Sequence, residues 1–350
     1  MTNLPFLYNE GTRESKDGDE MTPTTEAVDT AKKTSVPKSR TKQNIGYWKR
    51  FGSFYIMMAP ALLVLLLNNY IPMIGSLIAF KQIEYTADSF IQSFLDSKWV
   101  GLANFDYLFS TTDGWMITRN TLLYNAVFIF LNLVVGVTFA LLFNAMRNRR
   151  LAKLHQSVMF LPYFLSMIVI SYLVYAFLNP DIGIMNKVVL PWFGIEPIDW
   201  YTDPKWWPII LPLINTWKVI GYYAVIFLAA IIGIDQEYYE AATIDGASRW
   251  RQIRSITLPL IRPVIIVLTL LQIGRIFYSD FGLFFQVTRN SGILYDTTLV
   301  IDTYVYQSFI VSGDIGMASA AGLYQAFVGF ILVLLSNLVI RRISRDDALF

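Results

Sequence analysis

Long apolar runs recur six times along the chain: Phe54–Phe80, Thr121–Met146, Ser157–Leu178, Pro208–Ile234, Val264–Val287 and Ala318–Ile340. Each reaches or exceeds the ~20 residues a helix needs to cross ~30 Å of hydrocarbon. Lipid offers no partner to backbone amides, so runs of this length read as helices rather than barrel strands. The pattern therefore predicts an all-α membrane protein with six transmembrane helices. Pro60, Pro72 and Pro162 lie inside the runs, where they predict kinks or helix ends. Residues 1–45 break the pattern. They are rich in Thr, Ser, Lys, Glu and Asp and hold few large apolar residues after Leu7. Such a segment buries too little apolar surface to offset its ordering entropy, which predicts a disordered tail ahead of a six-helix domain over 46–345. It lacks the apolar core of a secretory signal.

Composition agrees with the membrane class. Of 350 residues, 55% are hydrophobic and 15% charged, against about a quarter charged in soluble domains. Cysteine is absent, which excludes disulfides and thiol chemistry. The single histidine, His155, reads as a solvated residue at a helix end, and a histidine-based metal site is not expected. A net charge of +2 gives no reason to expect nucleic acid.

Basic residues orient the spans. One side receives Lys49, Arg50, Arg147, Arg149, Arg150, Lys153, Arg249, Arg251, Arg254, Arg262, Arg341, Arg342 and Arg345. The other receives only Lys81, Lys98, Arg119, Lys187, Lys205 and Arg289. The excess marks the first side as cytoplasmic and places both termini there. The outer loops carry Trp99, Trp115, Trp192, Trp200, Trp206 and Trp207, read as interfacial anchors with a share left for an extracytoplasmic partner.

The stretch 235–262, between the fourth and fifth spans, crosses nothing. Tyr238 to Ile244 reads as a short helix bearing Ala241 and Ala242. Gly246 supplies a turn, Ser248 to Ile256 a second helix, and Leu258-Pro259 its end. Trp250, Ile253 and Ile256 form the apolar stripe of that second helix. The sequence Glu240-Ala241-Ala242-Thr243-Ile244-Asp245-Gly246-Ala247, with Ile256-Thr257-Leu258-Pro259 and Arg262-Pro263 behind it, resembles the cytoplasmic EAA loop of permease subunits in binding-protein-dependent ABC importers. The resemblance implies that Glu240, Ala241, Ala242, Asp245, Gly246, Leu258 and Pro259 dock on a separate ATP-hydrolysing subunit. No G-x-x-x-x-G-K-[ST] phosphate loop occurs, so ATP and Mg are expected on that partner and no cofactor on this chain.

Charges inside spans are costly and face a cavity or a partner helix. Lys218 lies about ten residues into the fourth run and Arg275 at similar depth in the fifth, with Asp280 five residues further on. That spacing is poor for an intrahelical pair, so Asp280 is expected to meet Lys218 or another subunit. With Trp217, Tyr222, Gln272 and Tyr278 they form a candidate substrate path whose rings would stack on sugars and whose polar groups would bind hydroxyls or carboxylates. Interhelical polar contacts are the competing reading. The two cations raise the further expectation of an acidic, uronate-containing cargo.

Phe281 to Asn290, Ile301 to Tyr306, and Asn215-Thr216-Trp217-Lys218 with Gly221-Tyr222 narrow the resemblance. They look like the permeases of the CUT1-type carbohydrate importers, in the oligosaccharide and polysaccharide branch. It implies a bacterial inner-membrane location among membrane lipid, a second homologous permease, two ATP-binding subunits and an extracytoplasmic solute-binding protein. A non-sugar solute is the alternative within that class. An ATP-independent transporter fits less well because of the loop. An intramembrane enzyme would need convergent acids or histidines, and the spans hold one carboxylate.

Overall fold

The computed structural model describes residues 40–84 and 89–343; for 40–50, 90, 91, 339, 340 and 343 it describes the backbone alone. Residues 1–39, most of the expected tail, and Arg345 lie outside the described residues. The chain divides into two compact units, one up to Leu63 and one from Val64 onward. The packed layers and the cavity all belong to the second unit.

Five helical runs are long and apolar enough to cross a membrane: Phe51–Phe80, Thr112–Ala145, Pro204–Ile232, Arg249–Ile273 and Ile315–Leu338. A bent pair, Arg149–Phe164 with Met167–Leu178, makes the sixth span if counted as one. The principal helices are α1 (Arg40–Leu65), α2 (Ala103–Ser110), α3 (Thr112–Ala145), α4 (Arg149–Phe160), α5 (Met167–Leu178), α6 (Trp207–Ile232), α7 (Gln236–Ile244), α8 (Arg249–Ile273), α9 (Ile301–Tyr306) and α10 (Ile315–Ile343). Helix α1 thus already includes residues 40–45, the end of the expected tail. Two short strands, β1 (Lys81–Gln82) and β2 (Lys98–Trp99), pair antiparallel, Lys81 opposite Trp99.

Three apolar layers stack along the bundle. Ala140 and Phe143 of α3 pack with Phe227, Leu228 and Ile231 of α6 and Ile261 of α8, so α3 and α6 run parallel and bring Arg147 and the 235–262 segment to one end. Tyr124, Phe128, Leu211, Leu283, Phe284 and Val287 form the middle layer. Leu108, Ile117, Phe277, Leu299, Ile301, Met317 and Ala321 close the opposite end. Helix α6 approaches α4 through Gly221, where a Cβ would lie 2.3 Å from the Met159 carbonyl oxygen. Outside these layers, Leu65, Leu66, Leu67, Ile71, Met73 and Ile74 are exposed, as lipid-facing side chains should be.

Three of the prolines share one device. π turns over Leu66–Tyr70, Met185–Val189 and Ile253–Thr257 each end two residues before a proline, namely Pro72, Pro191 and Pro259. Proline lacks an N–H and clashes with the carbonyl four residues back; the wider turn removes that carbonyl from the ring's path.

Three sequence expectations are corrected. Leu258-Pro259 does not end the second helix of the loop, because the π turn lets the chain continue unbroken from Arg249 to Ile273. The fifth span is consequently shifted from 264–287 and stops at Ile273–Gly274, so Arg275 and Asp280 lie beyond its end. The third span, by contrast, breaks close to Pro162 as expected: Leu165 and Ser166 are extended, and the helices on either side bend by 102°. Of the tryptophans, Trp99, Trp115 and Trp192 are exposed, whereas Trp200 and Trp207 are core. The Trp207 indole donates to the Trp200 carbonyl at 2.7 Å and the Trp200 indole to Asn186 at 2.9 Å.

Candidate functional site: an exposed elbow and a polar cavity

Asp235 caps α7 by accepting the Glu237 amide at 3.1 Å. The helix ends in a Schellman arrangement: the Ala247 amide donates to the Ala242 carbonyl at 2.8 Å and the Gly246 amide to the Thr243 carbonyl at 3.1 Å. Gly246 has φ +71°, a conformation glycine adopts without a Cβ penalty. Ser248 then caps α8. Three hydrogen bonds lock the elbow. The Gln252 amide donates to Thr243 Oγ1 at 3.1 Å and to the Ala247 carbonyl at 3.2 Å, and the Tyr239 and Thr257 hydroxyls meet at 2.9 Å.

Glu240, Ala241, Asp245, Gly246 and Pro259 are exposed; Ala242 and Leu258 are partly covered. Neither Glu240 nor Asp245 enters either of the ion pairs found among the described residues, Lys98–Glu84 and Lys205–Asp203. Ile244, at the tip, is 87% exposed, and Tyr238 on the same helix is also exposed. Sequence reasoning passed over both. An isoleucine beside a glycine elbow was the available clue.

The second feature is a cavity of about 510 Å³ between α3, α6, α8 and the segment after α8. It is lined by Asn125, Phe128, Ile129, Asn132, Tyr163, Asn215, Val219, Tyr222, Tyr223, Leu268, Leu271, Gln272, Arg275, Tyr278 and Asp280. Of the sequence-predicted path residues it gathers Tyr222, Gln272, Arg275, Tyr278 and Asp280. Trp217 and Lys218 do not line it. Lys218 Nζ instead donates to the Leu165 carbonyl at 2.6 Å and the Tyr163 carbonyl at 3.5 Å, satisfying acceptors that the helix break leaves free. Asp280 does not meet Lys218; its Oδ1 accepts the Leu283 amide at 3.1 Å and caps the next helical turn.

Residues missed in the sequence make the wall polar. Asn132 Nδ2 donates to Gln272 Oε1 at 2.9 Å, while Asn132 Oδ1 is buried without a hydrogen-bond partner. Tyr163 reaches the wall because of the break and stacks on Tyr222 with ring centres 5.1 Å apart. Asn125 and Asn132, seven residues apart on one helical run, were the legible trace of this face. Arg275 forms no ion pair among the described residues. The arrangement offers amides, phenols and a free guanidinium to a hydroxyl-rich or carboxylate-bearing solute. Among the described residues no group of three or more His, Cys, Asp or Glu side chains is placed to hold a metal.

Comparison with known proteins gives the family. Residues 132–345 match the family described as binding-protein-dependent transport system inner membrane component. The chain is 33% identical to protein LplB of Bacillus subtilis (strain 168), over 85% of this chain and 91% of that protein. It is 32% identical to the polygalacturonan/rhamnogalacturonan transport system permease protein YteP of the same organism, over 83% and 88%. The crystal structure of a bacterial alginate ABC transporter in complex with alginate pentasaccharide-bound periplasmic protein contains a similar chain: 31% identity, TM-score 0.76, covering 87% of this chain and 99% of that one.

Proposed function

Because this chain belongs to the binding-protein-dependent transport system inner membrane components, we propose that it is the permease subunit that carries an acidic oligosaccharide or polysaccharide fragment through an ABC importer. It is a multi-pass inner-membrane protein. In this reading a second homologous permease completes the path and an extracytoplasmic binding protein delivers the cargo. Two ATP-binding subunits bind ATP and Mg and supply the energy, and this chain catalyses nothing. The elbow lies on the cytoplasmic side, as the basic residues around it require.

One observation carries the proposal. The elbow that carries Gly246 and the cavity wall that carries Gln272 and Arg275 are joined by a single unbroken helix, α8. Its 25 residues span roughly 35–40 Å at 1.5 Å each. A partner that moves the elbow therefore moves the cavity wall. The cross-braces at Gln252–Thr243 and Tyr239–Thr257 make elbow and helix one body. An acidic cargo is supported by Arg275, which has no ion-pair partner among the described residues, and by the substrates named for the relatives, polygalacturonan/rhamnogalacturonan and alginate.

The absence of cysteine permits a direct test. Ile244→Cys at the exposed tip should cross-link to the ATP-hydrolysing subunit in the assembled complex, and the yield should change when ATP is added. Cross-linking only to the second permease, or to nothing, contradicts the proposed docking.

A further inference from the structure

Between Gly274 and Asp280 the chain leaves helical geometry while still carrying Arg275, Tyr278 and Asp280 into the cavity wall. The backbone groups of an unwound segment need hydrogen-bond partners. Two of those groups are satisfied by side chains from other elements. The Ser279 amide donates to Asp302 Oδ2 of α9 at 2.7 Å. The Phe277 carbonyl accepts from Gln325 Nε2 of α10 at 2.6 Å, and the same Gln325 amide donates to Asp302 Oδ2 at 3.1 Å. Gln325 is 6% exposed. Asn125 of α3 adds a third tie by donating to Ser279 Oγ at 3.2 Å.

Asp302 does not line the cargo cavity. It lies behind the segment, on a separate and mostly apolar pocket with Ile78, Phe281, Tyr306 and Phe309. Its hydrogen bonds reach the cavity through the backbone it holds.

We propose that Asp302 and Gln325 are a positioning clamp: together they fix the unwound segment and so set where Arg275 and Tyr278 stand in the cavity. The clamp deepens the permease reading by naming what gives its cavity a defined shape. It works by hydrogen-bond acceptance at Asp302 Oδ2. Burial, the largest influence, pushes the Asp302 carboxyl above its ordinary value, against the lowering pull of the Ser279 amide and Gln325. An asparagine side chain can accept the same two N–H groups through its carbonyl oxygen.

The test uses a nitroxide spin label at Tyr278→Cys in the full chain within its assembled complex, the other subunits made cysteine-free. With Asp302→Ala the ratio of immobilised to mobile label should fall roughly tenfold, as for hydrogen bonds worth about 1.4 kcal/mol together. With Asp302→Asn it should stay near the parent value. A control label at Ile182→Cys, on an exposed turn, should not change in either. If Asp302→Ala prevents assembly, Gln325→Leu carries the same test, because it frees the Phe277 carbonyl and leaves Asp302 in place. A label that stays immobile in the Ala or Leu variant overturns the clamp. So does an Asn variant as mobile as the Ala variant, which would assign the effect to charge. The readout needs neither cargo nor ATP, so it fails or holds independently of what the transporter carries.

Discussion

Gly246→Leu abolishes ATP-driven uptake while the spans still insert: this is the largest effect expected from the elbow. The glycine sits at φ +71° as the residue that closes α7. A leucine forced there costs roughly 1–2 kcal/mol, and the cheaper course is for the elbow to change shape. Apart from its chain neighbours, no atom of the described residues lies within 4 Å of an added Cβ, so the Cβ itself meets no obstacle among them. The loss therefore falls on whatever must fit against the exposed Glu240, Ala241 and Ile244. Membrane abundance of the variant should match the parent, the ATP-hydrolysing subunit should no longer copurify, and uptake should be lost. Gly246→Asn, which tolerates positive φ better, should retain part of both. Normal assembly and uptake in the leucine variant would sink the coupling role of the loop.

The second large effect is a change of selectivity at Arg275. Its guanidinium is at the cavity wall and has no carboxylate partner among the described residues. If it binds a uronate carboxylate, Arg275→Gln removes a charge-assisted bond worth about 1.5–3 kcal/mol. Uptake of acidic oligosaccharides should then fall by roughly one to two powers of ten, and uptake of neutral ones should hardly change. Lys218→Met is the matched contrast. Lys218 holds the carbonyls of the broken third span, so its loss should lower complex stability and reduce both classes alike. Equal losses in both variants would assign Arg275 a structural role and remove the case for charge selection.

The number of spans and the place of the elbow are legible in the sequence for a plain reason. Membrane insertion is read from composition over about twenty residues, and the elbow from the residue types its turn demands. The backbone breaks are not legible that way. The run 264–287 is largely apolar on both sides of Arg275 and Asp280, yet only its first part is a span. Phe277, Leu283, Phe284 and Val287 are apolar because they are buried in protein, each at most 2% exposed. Hydropathy cannot tell that burial from immersion in lipid. Pro259 looked like a stop because a proline ends an α-helix, and the π turn that accommodates it leaves no mark in composition. Lys218 looked like a path residue because a charge inside a span usually faces a cavity. Its real neighbours are carbonyls freed at Leu165 and Tyr163, and only the broken geometry of the third span reveals them.

The central claim is that force on the elbow drives an acidic sugar polymer through a path partly walled by this chain. The most direct measurement is ATP-dependent uptake by the complete complex in proteoliposomes, supplied with its binding protein and with size-matched acidic and neutral oligosaccharides. Uptake of the acidic series, dependent on ATP and lost with Gly246→Leu, is the predicted result. Uptake that persists without ATP, or is confined to neutral sugars or to non-sugar solutes, would contradict it.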